Sequence, residues 1–191
     1  MNGLNSAKLQ ELMEKGIVTS VYRTSGRGED RKDEKLSAEQ AGQISLDAIN
    51  TISIQQGYNY SKLMPMNIII VVNNHIEGAH YSITIPAEHL KEALEILNWD
   101  MSFGAGKTAQ LFNMLQMSST DMERPGRFDH DLKSRVVLSK TEDYRNPDTS
   151  WFTIHSTDID SKKRFKTLDE VYDATKQNYA RNVLTKDDPI M

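Results

Sequence analysis

Residues 67–85 read NIIIVVNNHIEGAHYSITI, and this stretch decides the fold that the sequence predicts. The uninterrupted apolar run at 68–72 is typical of a strand covered on both faces, so we expect it at the centre of a sheet. Residues 80–85 alternate instead, with Tyr81, Ile83 and Ile85 on one face. Because a turn at 73–78 joins the two segments, they are predicted to pair as an antiparallel hairpin.

Further elements are predicted on both sides of this hairpin. A short helix over 5–15 precedes a strand over 17–22, and Ser37 with Gln40 forms a capping box for a long helix ending near Gly57. Helices follow over 86–98 and 107–117 and after Thr167, with strands over 136–138 and 151–155. Helices and strands do not alternate strictly. The expected fold is therefore α+β, with a single, mainly antiparallel sheet of four to five strands and helices packed on its faces.

The length of 191 residues suits one domain, which we place over residues 1–185. Two polar segments without apolar periodicity, near 24–35 and 118–133, are predicted to be mobile loops, and residues 186–191 a flexible tail.

Composition narrows the classes of protein to consider. The chain has no cysteine, which excludes disulfides, thiolate metal ligands and a cysteine nucleophile and suits a reducing compartment. The N-terminal residues lack a signal pattern and the longest apolar run is too short for a bilayer, so we expect a cytoplasmic protein without membrane contact. A net charge of −4 and a pI near 5.7 argue against a protein that coats duplex nucleic acid.

Two tripeptides, HYS at 80–82 and HST at 155–157, set a histidine two residues before a hydroxyl on predicted strands. This pair resembles the two-histidine phosphoesterases, whose H-x-[ST] motifs lie on strands of a pseudo-symmetric sheet and act on cyclic or internal phosphodiesters of RNA and nucleotides. The resemblance implies that His80 and His155 act as base and acid, while Ser82 and Thr157 hold the phosphate. It covers these tripeptides and the strand-then-helix order after the first. The acidic residues that follow the second motif depart from the family pattern.

Two other segments contain partial binding motifs, but neither is predicted to form a binding site. Residues 104–108, GAGKT, match the end of a phosphate-binding loop, but the full pattern needs a glycine where Met101 stands, so we predict a turn and a helix start. Asp129, His130 and Asp131 are neighbours whose side chains diverge, without a complementary cluster at a fixed spacing. No metal and no cofactor are expected.

Cations in or beside the two polar loops are the predicted binding residues, because guanidinium and ammonium groups clamp phosphates and carboxylates. They are Arg23, Arg27, Arg31, Lys32, Arg124 and Arg127.

The leading hypothesis from the sequence is a non-enzymatic binding or regulatory protein that engages a macromolecule, preferentially a protein, through its charged loops. Homo-oligomerisation is compatible with it, and the small chain with few motifs suits a viral or mobile-element accessory factor. One alternative is a two-histidine phosphodiesterase or an enzyme that binds cyclic nucleotides or RNA phosphates. Another is an accessory protein of single-stranded nucleic acid, with Tyr22, Tyr58, Tyr60 or Trp151 stacking on bases.

Overall fold

The computed structural model describes residues 3–46, 49–59, 64–99, 104–117, 133–143, 145–155 and 162–180. Over these residues the chain is α+β with a single antiparallel sheet, as predicted, but the sheet has seven strands rather than four to five. In chain order the elements are α1 (Ser6–Glu14), β1 (Ser20–Ser25), β2 (Lys32–Lys35), α2 (Ala38–Ala41), β3 (Ile49–Asn59), β4 (Met64–Asn74), β5 (Ala79–Ile85), α3 (Leu90–Leu97), α4 (Gly104–Met117), β6 (Lys133–Asp143), β7 (Trp151–His155) and α5 (Leu168–Tyr179).

The sheet is a central meander flanked by two hairpins. Its strand order is β2-β1-β5-β4-β3-β6-β7, so β4 lies in the middle, as its apolar run predicts. The expected cover on both faces is not found among the described residues, because Ile69 and Val71 point to the face opposite the described helices. The predicted hairpin of β4 and β5 is confirmed, with Ile70 opposite Ile83. The β1–β2 hairpin pairs with the outer side of β5, and the β6–β7 hairpin pairs with β3.

One apolar row crosses six strands at the centre of the sheet. In this row each residue is the register partner of the next, and all are at most 1% exposed. The row consists of Val21, Ile83, Ile70, Ile54, Leu138 and Ile154. Partners in an antiparallel register point to the same face, so this row defines the core side of the sheet.

The described helices all cover this core side. Leu9 and Leu12 of α1, Leu97 of α3 and Phe112 of α4 belong to the same buried cluster as the apolar row. Helix α3 contacts β4, α4 contacts β6 and α5 contacts β7. The expectation of helices packed on the faces of the sheet therefore holds for one face only among the described residues, whose helices form one layer.

The predicted long helix ending near Gly57 is wrong. The capping box of Ser37 and Gln40 forms, but α2 ends after one turn, at Ala41. Residues 49–59 instead form β3, where Asn50, Ile52 and Ile54 are buried at alternate positions. Branched side chains favour this extended backbone because their χ1 rotation is restricted in a helix.

Part of the first predicted loop is a regular hairpin. Strand β1 continues to Ser25, which pairs with Lys32, and the whole of β2 is exposed. Gly26 makes the turn with φ +76°, and a Cβ there would lie 2.1 Å from the carbonyl oxygen of Asp30, so only glycine fits. Most of the second predicted loop, residues 118–132, and the tail at 186–191 lie outside the described residues.

The other predicted helices are confirmed as α1, α3, α4 and α5. Thr167 caps α5 by accepting a hydrogen bond from the backbone N–H of Glu170, as its capping pattern predicts. Of the helices that the structure describes, none combines the length and apolar character needed to cross a membrane.

We expect Ile54→Ala to lower the free energy of unfolding by about 2 to 5 kcal/mol, because Ile54 is fully buried between Ile70 and Leu138 and the change leaves a cavity. Chemical denaturation monitored by circular dichroism measures this loss. The matched control is Ile76→Ala at a 75% exposed position, which should change stability by less than about 0.5 kcal/mol. Equal effects of the two substitutions would contradict the assigned core side.

Candidate binding surface

The face of the sheet opposite the helices is the candidate functional surface. The register places three rows of six residues on it, each row crossing from β1 to β7, and we call this surface the open face. It comprises Ser20, Tyr22, Thr24, Thr51, Ser53, Gln55, Ile69, Val71, Asn73, His80, Ser82, Thr84, Val137, Ser139, Thr141, Trp151, Thr153 and His155.

The composition of the open face is unusual for a surface that no described helix covers. Within these three rows no residue is Asp, Glu, Lys or Arg and half are Ser or Thr, whereas Asp33, Lys35 and Asp143 stand at the borders of the same face. By contrast, the outer sides of the described helices carry many charges, such as Lys15, Lys91 and Asp173. Because depletion of charged residues marks the centre of recognition surfaces, the open face is the strongest candidate for binding.

Hydrogen bonds between side chains connect neighbouring strands on this face. The hydroxyl of Thr51 lies 3.1 Å from that of Thr141 on β6 and 3.1 Å from Nε2 of His75 in the β4–β5 turn. Cross-strand hydroxyl pairs of this kind hold side chains in one rotamer and so lower the entropy that binding must remove. The outer row of the open face that ends at Trp151 is therefore partly preorganised.

The β7 margin of the open face is basic. Phe152 and Phe165 exchange two backbone hydrogen bonds of 2.7 and 2.8 Å, which places the segment after residue 162 alongside β7. Since Phe165 is buried on the core side, alternation turns Arg164 to the open face, where its Cζ lies 4.0 Å from the centre of the Trp151 ring. We call the exposed cations of this segment the basic margin; they are Lys162, Lys163, Arg164 and Lys166.

The β2 margin has charges of both signs. The hydroxyl of Thr24 donates a 2.8 Å hydrogen bond to Asp33, and Nε of Arg31 lies 3.4 Å from the same carboxylate oxygen. The hydrogen bond from Thr24 lowers the pKa of Asp33 below its ordinary value, and the nearby charge of Arg31 and the imidazole of His80 lower it further. Asp33 therefore stays ionised at this corner of the open face.

The structure does not bring together the two histidines of the phosphoesterase pattern. His80 lies on β5 and His155 on β7, with β4, β3 and β6 between them. Four strand spacings separate them by about 19 Å across the sheet, and they also belong to different rows. One phosphate cannot bridge that distance. Ser82 lies two residues from His80 on the open face, whereas Thr157 is outside the described residues.

The predicted binding cations do not line one surface. Arg23 belongs to a core-side row and lies 3.8 Å from Glu77. Arg31 contacts Asp33, while Arg27 and Lys32 are exposed in the β1–β2 hairpin. Arg124 and Arg127 lie outside the described residues.

The segment resembling a phosphate-binding loop serves the packing of α4. Thr108 is fully buried and its hydroxyl donates a 2.7 Å hydrogen bond to the carbonyl of Gly104, while Lys107 lies over the ring of Tyr172. Within the part of the chain that the structure describes, no three His, Asp or Glu side chains are close enough to hold a metal ion. Residues 129–131 are outside that part.

The sequence does not predict the open face, because the apolar spacing before Gly57 indicates a helix where the structure has β3. The signal was nevertheless present in residues 50–55, where Asn50, Ile52 and Ile54 alternate with Thr51, Ser53 and Gln55. The basic run KKRFK at 162–166 was also visible. Its place beside Trp151 depends on the pairing of Phe152 with Phe165, which no local pattern indicates.

Comparison of the chain with protein-family models, with curated proteins and with solved structures gave no match.

We expect Thr24→Val to raise the pKa of Asp33 toward its ordinary value of 3.8, because the substitution removes the hydrogen bond that favours the carboxylate. A carboxylate whose pKa is lower in the folded state than in the unfolded state stabilises the fold when the pH is above the unfolded-state pKa. This stabilisation is lost as the pH falls through the folded-state pKa. In Thr24→Val the free energy of unfolding should therefore decrease less as the pH is lowered into the acid range. An NMR titration of the Asp33 carboxyl carbon measures the shift, with Thr84→Val as the control. An unchanged titration would contradict the assigned contact.

Proposed function

We propose that this protein is a non-enzymatic binding protein that engages a macromolecular partner through the open face and its two charged margins. The observation that carries the proposal is the absence of Asp, Glu, Lys and Arg from three rows of side chains over six strands, while charged residues of the same face stand at its borders, Asp33 and Lys35 on β2 and Asp143 on β6. A sheet face that only contacts water has no need to exclude charge, whereas the centre of an interface does.

The margins support the same proposal. A charged rim around an uncharged centre is the usual anatomy of an interface, where the rim sets orientation and association rate and the centre supplies contact area. On the open face the basic margin lies beside β7, and Asp33, Arg31 and Lys35 lie beside β1. Residues 24–35, which the sequence predicts to be a mobile binding loop, form the β1–β2 hairpin and one side of this larger surface.

Site-specific photo-crosslinking in the cells that produce the protein tests this proposal. A photoreactive amino acid at Ser82, in the middle row of the open face, should form discrete adducts, because a bound partner lies within reach of that position. The matched control places the same amino acid at Asp173, which is exposed on α5.

Digestion with nuclease and with protease distinguishes adducts with nucleic acid from adducts with protein. Either class at position 82, with none at position 173, supports the proposal. Adducts of equal yield at both positions, or none at position 82, would overturn it.

We also expect the purified protein not to hydrolyse cyclic phosphates, cyclic dinucleotides or short RNA, because His80 and His155 lie too far apart to act on one phosphate. Chromatography of the reaction products measures hydrolysis. Turnover that disappears in both His80→Ala and His155→Ala would refute the non-enzymatic assignment and restore the two-histidine mechanism.

A further inference from the structure

We infer that the partner of the open face is single-stranded nucleic acid, with Trp151 and Arg164 forming a stacking platform and the basic margin contacting the backbone phosphates. This inference rests on the proposed function, since it names the partner class of the same surface.

The stacked pair at the β7 margin is the first line of support. Trp151 is only half-buried, and the guanidinium of Arg164 lies 4.0 Å from the centre of its ring. Planar aromatic and guanidinium groups on a sheet surface stack against bases without regard to their identity, because every base has a π face. Tyr22, which is 40% exposed at the β1 end of the open face, offers a second aromatic surface.

The distribution of positive charge is the second line of support. The basic margin has four cations within five residues, and all four are exposed, although the ammonium of Lys163 lies on the side of Phe165, 5.2 Å from the centre of that ring. The Lys166 ammonium donates a hydrogen bond to the carbonyl oxygen of Asp148, and the backbone N–H of Lys166 donates to Glu170, so this end of the segment is anchored. Cations held beside a stacking pair can neutralise the phosphates that flank a stacked base.

The hydroxyl groups favour a nucleic acid over a protein partner. Serine is depleted in protein–protein interfaces, which makes a face that presents Ser20, Ser82 and Ser139 a poor match for a protein. Ser, Thr and Asn side chains commonly contact phosphates and sugars and can also pair with exposed base edges. The rows of the open face offer such groups between the two aromatic ends.

The limited basic area favours a single strand over a duplex. The chain has a net charge of −4, and the basic margin occupies only one side of the open face. A duplex presents its phosphates outside and its bases inside, so its affinity depends mainly on a broad basic field. A single strand exposes its bases, so the stacking platform and the hydroxyl rows can supply contacts that a duplex cannot use.

The experiment measures binding of the full-length protein to fluorescein-labelled single-stranded DNA and RNA of mixed sequence, about 12 nucleotides long. Fluorescence anisotropy gives the affinity at about 50 and 200 mM salt, and a duplex of the same length is the comparison. Quenching of tryptophan emission reports stacking. The only other tryptophan, Trp99, is 7% exposed, so the quenching should come from Trp151.

Three variants assign the binding to the proposed groups. Replacing Lys162, Lys163 and Lys166 together by alanine should weaken binding at least about tenfold and reduce the slope of log affinity against log salt by about 2. The charge-matched control replaces Lys91 and Lys176, which are exposed on helices, together with Lys15, which is exposed at the end of α1. It should leave affinity within about twofold. Trp151→Ala should lose roughly five- to 150-fold, and Trp151→Phe, which keeps a stacking ring and the packing, should lose less but abolish the quenching.

Saturable binding to a single strand, tighter than to the duplex and weakened as described, supports the inference. Three results overturn it: no saturable binding to either single strand, equal or tighter binding to the duplex, or equal losses in the two lysine variants. Protein adducts at position 82 in cells, together with no oligonucleotide binding in solution, would overturn the inference while leaving the proposed function intact.

Discussion

Burial of the apolar row from Val21 to Ile154 is the constraint on which the rest of the structure depends. The row draws one residue from each of six strands, so a shift of one residue in any register would turn a buried side chain toward the opposite face. The helices need this apolar surface to bury their own stripes. A single layer of helices is sufficient for that purpose, and no helix that the structure describes packs on the opposite side of the sheet.

Because none of the described helices packs on it, the open face can be specialised for binding. Side chains there are selected for what they contact outside the sheet, while the same strands retain their buried residues at alternate positions. Residues 79–85 illustrate this division, since Tyr81 and Ile83 belong to the core and His80, Ser82 and Thr84 to the open face. A rigid sheet also fixes the spacing between Tyr22 and Trp151, which loops could not do with the same precision.

Sequence reasoning was accurate where one pattern acted alone. The alternation in β5, the apolar run in β4 and the capping pattern of Thr167 each identified an element. It was wrong for β3, where Ile44 and Ile52 fit a helical stripe as well as a strand and the buried polar Asn50 obscures the alternation. It also overlooked β2, because an exposed strand of four charged residues has no apolar signal and is defined by its backbone pairing with β1. The candidate surface could not be predicted for the same reason, because it is formed by the pairing of strands that are distant in the chain.

The two edge strands of the sheet are poorly suited to pairing with a strand of another molecule. Strand β2 presents Lys32, Asp33, Glu34 and Lys35 at one end, and the pairing of Phe165 with Phe152 occupies part of the other. Short charged border strands and covered borders oppose pairing with a strand from another molecule. Growth of the sheet by addition of further chains is therefore disfavoured, and the protein should resist fibril formation at the high concentrations at which flat sheets with bare borders aggregate.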